Sequence, residues 1–251
     1  MGLLEFVDAH CHVHEFGEDD LRRYCNSKKF KIIAVSDDLQ SSLKTLKISK
    51  TCLNIIPCVG IHPWNVGKVF EKDLEVVLEV AKDVRFLGEV GIDKRFVPET
   101  YEKQLQFFRR FVEYSSSNGL GINVHAAGAW EDALRILFKY DVKLAIMHWY
   151  TGPITLLKDI SSVGYYITVN PAVRIQLKSR EVVLNAPLDM ILTESDSPYE
   201  YRGMKLVPER IVDAVNEIAS IKGVGLEEVI NAVLNNYYRI LNIVGLPSTP
   251  T

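Results

Sequence analysis

Eight short apolar, β-rich runs recur along the chain with amphipathic, charge-bearing segments between them, and this alternation constrains the fold more than any other feature. The runs are LLEFVDAH, KIIAVSD, NIIPCVGIHP, RFLGEVGID, GLGINVHA, VKLAIMHWY, GYYITVNPA and MILTESD, and helical periods follow them, as over 71–82, 99–118, 128–140 and 208–220. Repeated strand-then-helix units imply a parallel sheet, and eight of them in roughly 250 residues is the expected size of a (β/α)8 TIM barrel. An open doubly wound α/β sheet, the competing arrangement, uses fewer strands and often starts with a Gly-rich phosphate loop. Here the first run leads into HCHVHEF instead. No linker, low-complexity tract or short repeat divides the chain, so 1–251 is read as one domain with a frayed tail over 247–251.

All six histidines, His10, His12, His14, His62, His125 and His148, fall at or just past the end of a predicted strand. That edge is where barrel enzymes place their active sites. Side chains two apart on a strand share a face, so Asp8, His10 and His12 project together while Val7, Ala9 and Cys11 project toward the helices. By the same alternation Asn123 pairs with His125, Ile146 with His148, and Glu194 with Asp196. Glu89 sits in an otherwise apolar strand, where a carboxylate is costly unless it is metal-bound or paired, Arg85 and Lys94 being the alternative partners. Glu194 and Asp196 repel each other unless a cation lies near them, although SDSP also permits one of them to cap a helix. An inward set of imidazoles and carboxylates suits a two-metal hydrolytic site, in which a bridging carboxylate holds both ions and a water is activated near neutral pH.

Composition narrows the setting. The 251 residues are 47% hydrophobic and 24% charged, enough to bury a sizeable core, and the formal net charge of -3 gives no global basic field for gripping nucleic acid. Nucleic-acid contact therefore has to be local. Arg22, Arg23, Lys28, Lys29 and Lys31, or Arg109 and Arg110, are cationic groups on predicted helices and read as ordinary solvated faces; Trp64, Trp149 and Tyr150 near the rim are candidates for base stacking or for packing at the mouth. Cys11, Cys25, Cys52 and Cys58 are scattered without a Cys-x-x-Cys pair, so neither a disulfide scaffold nor a zinc ribbon is expected. With no basic leader and no apolar run near 18 residues, the expectation is a soluble, cytoplasmic protein with no membrane contact and no stable protein partner.

The ordered set DAHCH, GIHPW, GEVGID, NVHAAGA, MHWYTG and LTESDSPY, closing with NNYYRIL, resembles the TatD-type deoxyribonucleases of the amidohydrolase superfamily over nearly the whole chain. The resemblance implies a barrel with one divalent metal on His10, His12, Glu89 and Asp196 and a second on Glu89, His125 and His148, with magnesium, manganese or zinc as the ions. It implies further that His62 faces the substrate phosphate, that Asp196 takes the proton of the attacking water with Glu194 in support, and that the reaction cuts P–O bonds of DNA or another phosphodiester. The chain departs from the family pattern in three places. Ala126, Ala127 and Gly128 stand where an Arg usually follows the strand-five histidine, His14 replaces an acidic residue, and Leu206 replaces an Asn two residues before Pro208. These positions concern substrate rather than metal, so a hydrolase of a small amide, lactone or ester on the same framework is the rival enzyme. A barrel that binds nucleic acid without catalysis is the rival of another class, and the complete ligand set argues against it.

Overall fold

The computed structural model describes residues 4–247, so the frayed tail expected at 247–251 lies outside the described residues except for Pro247. Eight parallel strands, β1 (Phe6–Cys11), β2 (Phe30–Ala34), β3 (Ile55–Val59), β4 (Phe86–Gly91), β5 (Gly121–His125), β6 (Ala145–Met147), β7 (Tyr166–Val169) and β8 (Ile191–Thr193), pair in chain order. The nearly closed barrel that results removes the open doubly wound sheet as an alternative. Every position of β1 and β4 is buried, because one face meets the barrel interior and the other the surrounding helices.

The seam between first and last strands is drawn together by side chains. Thr193 donates to the Val7 carbonyl at 2.5 Å, and Asp8, fully buried, accepts from the Ser195 amide at 2.8 Å and from its hydroxyl at 2.6 Å. Just beyond, the Asp196 amide donates to the His10 carbonyl at 3.0 Å. Barrel closure and the delivery of Asp196 beside His10 are thus one piece of geometry.

Nine helices are described: α1 (Glu18–Tyr24), α2 (Leu39–Ser49), α3 (Glu71–Val80), α4 (Tyr101–Asn118), α5 (Trp130–Lys139), α6 (Leu157–Ser162), α7 (Leu177–Asn185), α8 (Ile211–Lys222) and α9 (Leu226–Ile243). In α4, Gln104, Phe107, Phe108, Phe111, Val112 and Ser115 recur at helical spacing and are buried, and the helix stops at Gly119, whose φ of 64° is the left-handed conformation that glycine tolerates. At the start of α2, Asp38 accepts from the Ser41 amide at 2.8 Å while Ser41 Oγ accepts from the Asp38 amide at 2.9 Å, which satisfies two amides the helix cannot. A short antiparallel hairpin, β9 (Glu200–Tyr201) and β10 (Met204–Lys205), follows β8 and was not foreseen. Its tip, Arg202 and Gly203, turns with φ of 50° and 80°, and Arg-Gly is a weaker turn signal than Asn-Gly.

Two expectations are corrected. Cys25 and Cys52 are joined in a disulfide across 27 positions, because the end of α1 and the approach to β3 meet below the barrel; only Cys11 and Cys58 are free. The cationic group near residue 30 is not one helical face: Arg22 and Arg23 lie on α1, Lys28 and Lys29 in the following loop, and Lys31 on β2, paired with Glu5 at 3.0 Å. Among the described residues, no helix is long and apolar enough to cross a membrane.

Candidate metal centre

The strand alternation carries the histidines to one mouth. Near the end of β1 stands His10, completely buried, with His12 just past the strand, while β4, three strands away in the sheet, supplies Glu89, 3% exposed. β5 ends on His125, His148 stands immediately beyond β6, and Asp196 lies three residues past the end of β8. Glu89 Oε2 lies 3.3 Å from His10 Nε2 and 3.5 Å from His12 Nε2, and Asp196 Oδ1 lies 3.5 and 3.4 Å from the same two nitrogens. Donors placed about 2.1 Å from a shared centre at tetrahedral corners stand about 3.4 Å apart. Each carboxylate oxygen therefore stands from both imidazole nitrogens at the spacing of two ligands on one small cation, His10, His12 and Glu89 cluster closely enough to share one, and His10 Nε2, buried, has no hydrogen-bond partner of its own. The donor set of imidazoles and carboxylates suits a divalent ion of borderline to hard character.

The second oxygen of Glu89 gathers a different group. His125 Nδ1 is 2.7 Å from Oε1, His62 Nε2 3.1 Å and His148 Nε2 3.7 Å. Glu89 is thus faced by five imidazoles, and the salt bridge to Arg85 or Lys94 considered from sequence does not form; Lys94 pairs with Asp132 at 2.5 Å. His62 accepts the Trp64 amide on Nδ1 at 3.1 Å, which leaves Nε2 to donate to Glu89. His62 lines the open cavity at the mouth and is at the same time bonded to Glu89.

Three inner imidazoles, His10, His125 and His148, are held from behind by a hydrogen bond, whereas His12 Nδ1 only faces a carboxylate without forming one. His10 Nδ1 meets Asn123 Oδ1 at 2.9 Å, His12 Nδ1 faces Asp37 Oδ1 at 3.1 Å, His125 Nε2 meets Asp93 Oδ2 at 3.0 Å and His148 Nδ1 meets Glu194 Oε2 at 2.8 Å. A partner on one ring nitrogen fixes the tautomer and aims the lone pair of the other inward, the arrangement that orients ligating histidines. Glu194, which is held also by Thr168 and Asn170, is aimed at His148 rather than at Asp196, so the repulsion foreseen between the two carboxylates is avoided. Asp37 and Asp93 had no role in the sequence reading. Asp93 lies four residues after Glu89 and Asp37 directly after the second strand, which were the available signals. His14, buried, is bound to Asp37 Oδ2 at 3.0 Å and the Val35 carbonyl at 3.2 Å.

The electrostatics follow. Burial pushes Glu194 up to about 7. Burial also opposes charge on Glu89, but the surrounding imidazoles, His62 and His10 foremost, overcome it and hold this carboxyl well below its usual range. For His125 the penalty of burial is outweighed by its bonds to Asp93 and Glu89, which raise it to about 9, and Asp93 falls to about 2 in return. His148, buried and stacked 3.6 Å from His10, is pushed well below the ordinary imidazole range, so it donates from Nδ1 and keeps Nε2 free.

The cluster opens into a cavity of about 910 Å³ at the strand ends, walled by Trp64, Phe96, Trp149, Tyr199 and Tyr201 and bordered by Ala126, Ala127 and Gly128. Tyr150 is packing: its ring is buried and its hydroxyl donates to the Pro153 carbonyl at 2.7 Å.

Comparison with known proteins agrees with this barrel. The model of the TatD related DNase family matches residues 7–242, and the chain belongs to that family of metal-dependent hydrolases. A metal-dependent hydrolase of Methanocaldococcus jannaschii is 29% identical, covering 93% of this chain and 95% of its own. The human deoxyribonuclease TATDN3 is 25% identical, with 93% of both chains covered. The crystal structure of a TatD homologue from Escherichia coli superposes with a TM-score of 0.86 at 22% identity, over 95% of this chain and 98% of that one, which establishes the likeness of fold.

Proposed function

We propose that the chain acts as a single catalytic domain that hydrolyses P–O bonds of DNA with two divalent ions, magnesium, manganese or zinc. One ion would be held by His10, His12, Glu89 and Asp196 and the other by Glu89, His125 and His148. The observation that carries this reading is the approach of the Glu89 and Asp196 carboxylates to both His10 Nε2 and His12 Nε2 at 3.3 to 3.5 Å, with His10 Nε2 left unpartnered between them. When bound, the ions would polarise the phosphoryl oxygens and lower the pKa of a water. Asp196 would take that water's proton, a role supported by its carboxylate lying beside His12 and lining the cavity. His62 offers a donor between Glu89 and the open cavity, where a phosphate oxygen would arrive, and Glu194 supports the centre by fixing His148. A cytoplasmic location, expected from unpaired cysteines, loses that support because Cys25 and Cys52 are bonded.

The direct test is chelation followed by refilling. Cleavage of a single-stranded oligodeoxynucleotide should vanish with chelator and return with magnesium or manganese, and elemental analysis should find less metal in the His10→Ala/His12→Ala variant. Equal metal content in parent and variant would remove strand one from the centre. Lactonase or amidase turnover without DNA cleavage under any metal would favour the rival hydrolase.

A further inference from the structure

We infer that the wall of the cavity made by Trp64, Phe96, Arg95 and Lys68 is a nucleotide subsite, which stacks a base of single-stranded DNA beside the scissile linkage and binds the neighbouring phosphate. This rests on the phosphodiesterase reading and adds where the chain beyond the reacting phosphate is held.

The wall is built on a single buried carboxylate. Asp93 Oδ2 accepts from Trp64 Nε1 at 2.6 Å as well as facing His125, and its Oδ1 accepts the amides of Arg95 and Phe96, each at 2.8 Å. Gln104 Oε1 in turn accepts the Asp93 amide at 2.6 Å. The Trp64 ring is therefore frozen with its centroid 5.2 Å from that of His62 and 6.3 Å from that of His125, yet it stays 41% exposed. Phe96, 59% exposed, meets it edge to face at 5.8 Å. Two apolar rings beside the centre, one of them fixed by its indole bond, are left bare and lose burial that packing would have recovered, and an uncovered apolar patch of this kind marks a binding surface. A flat heterocycle is the partner that a preset aromatic platform recognises.

Charge selects the rest of the ligand. Arg95 and Lys68 line the same cavity, and among the described residues neither has a carboxylate partner; Lys68 reaches only the Asn65 amide oxygen at 3.4 Å. The other aromatic group, Trp149 with Tyr199 and Tyr201, differs in this respect. Glu200 lies between those tyrosines, and the cavity's remaining lysine, Lys178, is paired with Glu181 at 2.9 Å. Beside Arg95, residues Ala126, Ala127 and Gly128 carry at most a methyl group, and a Cβ at position 128 would already touch Arg95 Cβ at 3.4 Å, so the guanidinium stem has the space that larger residues would fill. Exposed rings next to cations without a carboxylate partner, the Arg95 guanidinium lying 5.3 Å from the Phe96 ring centroid, describe a base with its phosphate.

The test is a cycle between substrate and protein. An abasic residue is walked through the first three positions from the cleaved end of a single-stranded oligodeoxynucleotide, and kcat/KM is measured for the parent enzyme and for Phe96→Ala, both loaded with manganese. In the parent, one position should show a loss on the order of 5- to 150-fold, the worth of one stacked base. In the variant that penalty should shrink to less than about threefold. Arg95→Gln should flatten the dependence of log kcat/KM on log salt by about 0.7, one phosphate contact on a single strand. An abasic penalty that is the same in parent and variant, or absent at every position, overturns the subsite while leaving the phosphodiesterase reading intact. Failure of the parent to cut any diester, a chromogenic small phosphodiester included, overturns both.

Discussion

The two ends of the barrel use polar side chains in opposite ways. At the end where the strands begin, polar groups close on the backbone: Asn54 donates to the carbonyls of Tyr24 and Phe30 at 2.8 and 3.0 Å, Asn236 to those of Leu188 and Ile191 at 2.8 and 2.9 Å, and Cys25 is covalently tied to Cys52. Each bond there satisfies a group the fold would otherwise strand, so the outcome is stability. At the end where the strands finish, imidazoles and carboxylates face one another in burial and leave donor atoms without partners. Stability is spent there on a constellation that is complete only with a ligand. Removing a residue should therefore cost function at one end and folding free energy at the other.

The largest effect is expected at Asp196. Asp196→Asn keeps the size and one oxygen donor but loses the base, and kcat on DNA should fall by about 10²–10⁴-fold or more with metal binding weakened only modestly. Steady-state kinetics on fully loaded protein check this; retention of more than about a tenth of parental kcat would leave Asp196 at most a ligand, with Glu194 the next candidate for the base. Asp93→Asn, one step out from the ions, should lower metal affinity or turnover by about 10–100-fold, read by metal titration followed in the same sample by rates. An unchanged affinity and rate would mean that His125 needs no orienting carboxylate.

At the opposite end, replacing Cys25 and Cys52 by serine releases a loop of 27 positions. Loop entropy puts the loss at about 3–4 kcal/mol, a fall in Tm of about 10 °C by calorimetry, with activity at 25 °C within about twofold of the parent. A comparable loss of activity would erase the contrast between the ends. The smallest effect belongs to Arg110, whose pair with Glu75 at 2.7 Å lies on the exposed outside of α4. Arg110→Ala should change DNA turnover by less than about twofold, and a larger drop in kcat/KM would mean that DNA reaches beyond the mouth.

Sequence alone was informative wherever the physics is local. Six of the eight apolar runs contain their strand and β1 and β2 each overrun theirs by one residue, while β6 and β8 shrink to three residues because their runs turn polar or irregular at the rim, where His148 and Asp196 leave the ladder. The inward set was legible because alternation on one strand needs no partner. What joins distant segments was not legible. His125 and Asp93 are 32 positions apart, His148 and Glu194 46, and neither pairing has a periodic signature. The Cys25 and Cys52 pairing was missed for the same reason, since proximity below the barrel is created by the fold and not by spacing.

The seam at Asp8 ties assembly of the centre to completion of the chain. His10 comes from the first strand, Asp196 from just past the last, and Asp8 holds Ser195 between them. A polypeptide still emerging from synthesis, or an intermediate whose two ends have not met, lacks one side of the centre. Metal uptake would then be a late event that rewards only the fully closed state, by the free energy with which the ion prefers the native site over the open chain. Ion occupancy would serve as a receipt for finished folding, and scarcity of metal would be felt first as a loosening of the seam rather than of the helical shell.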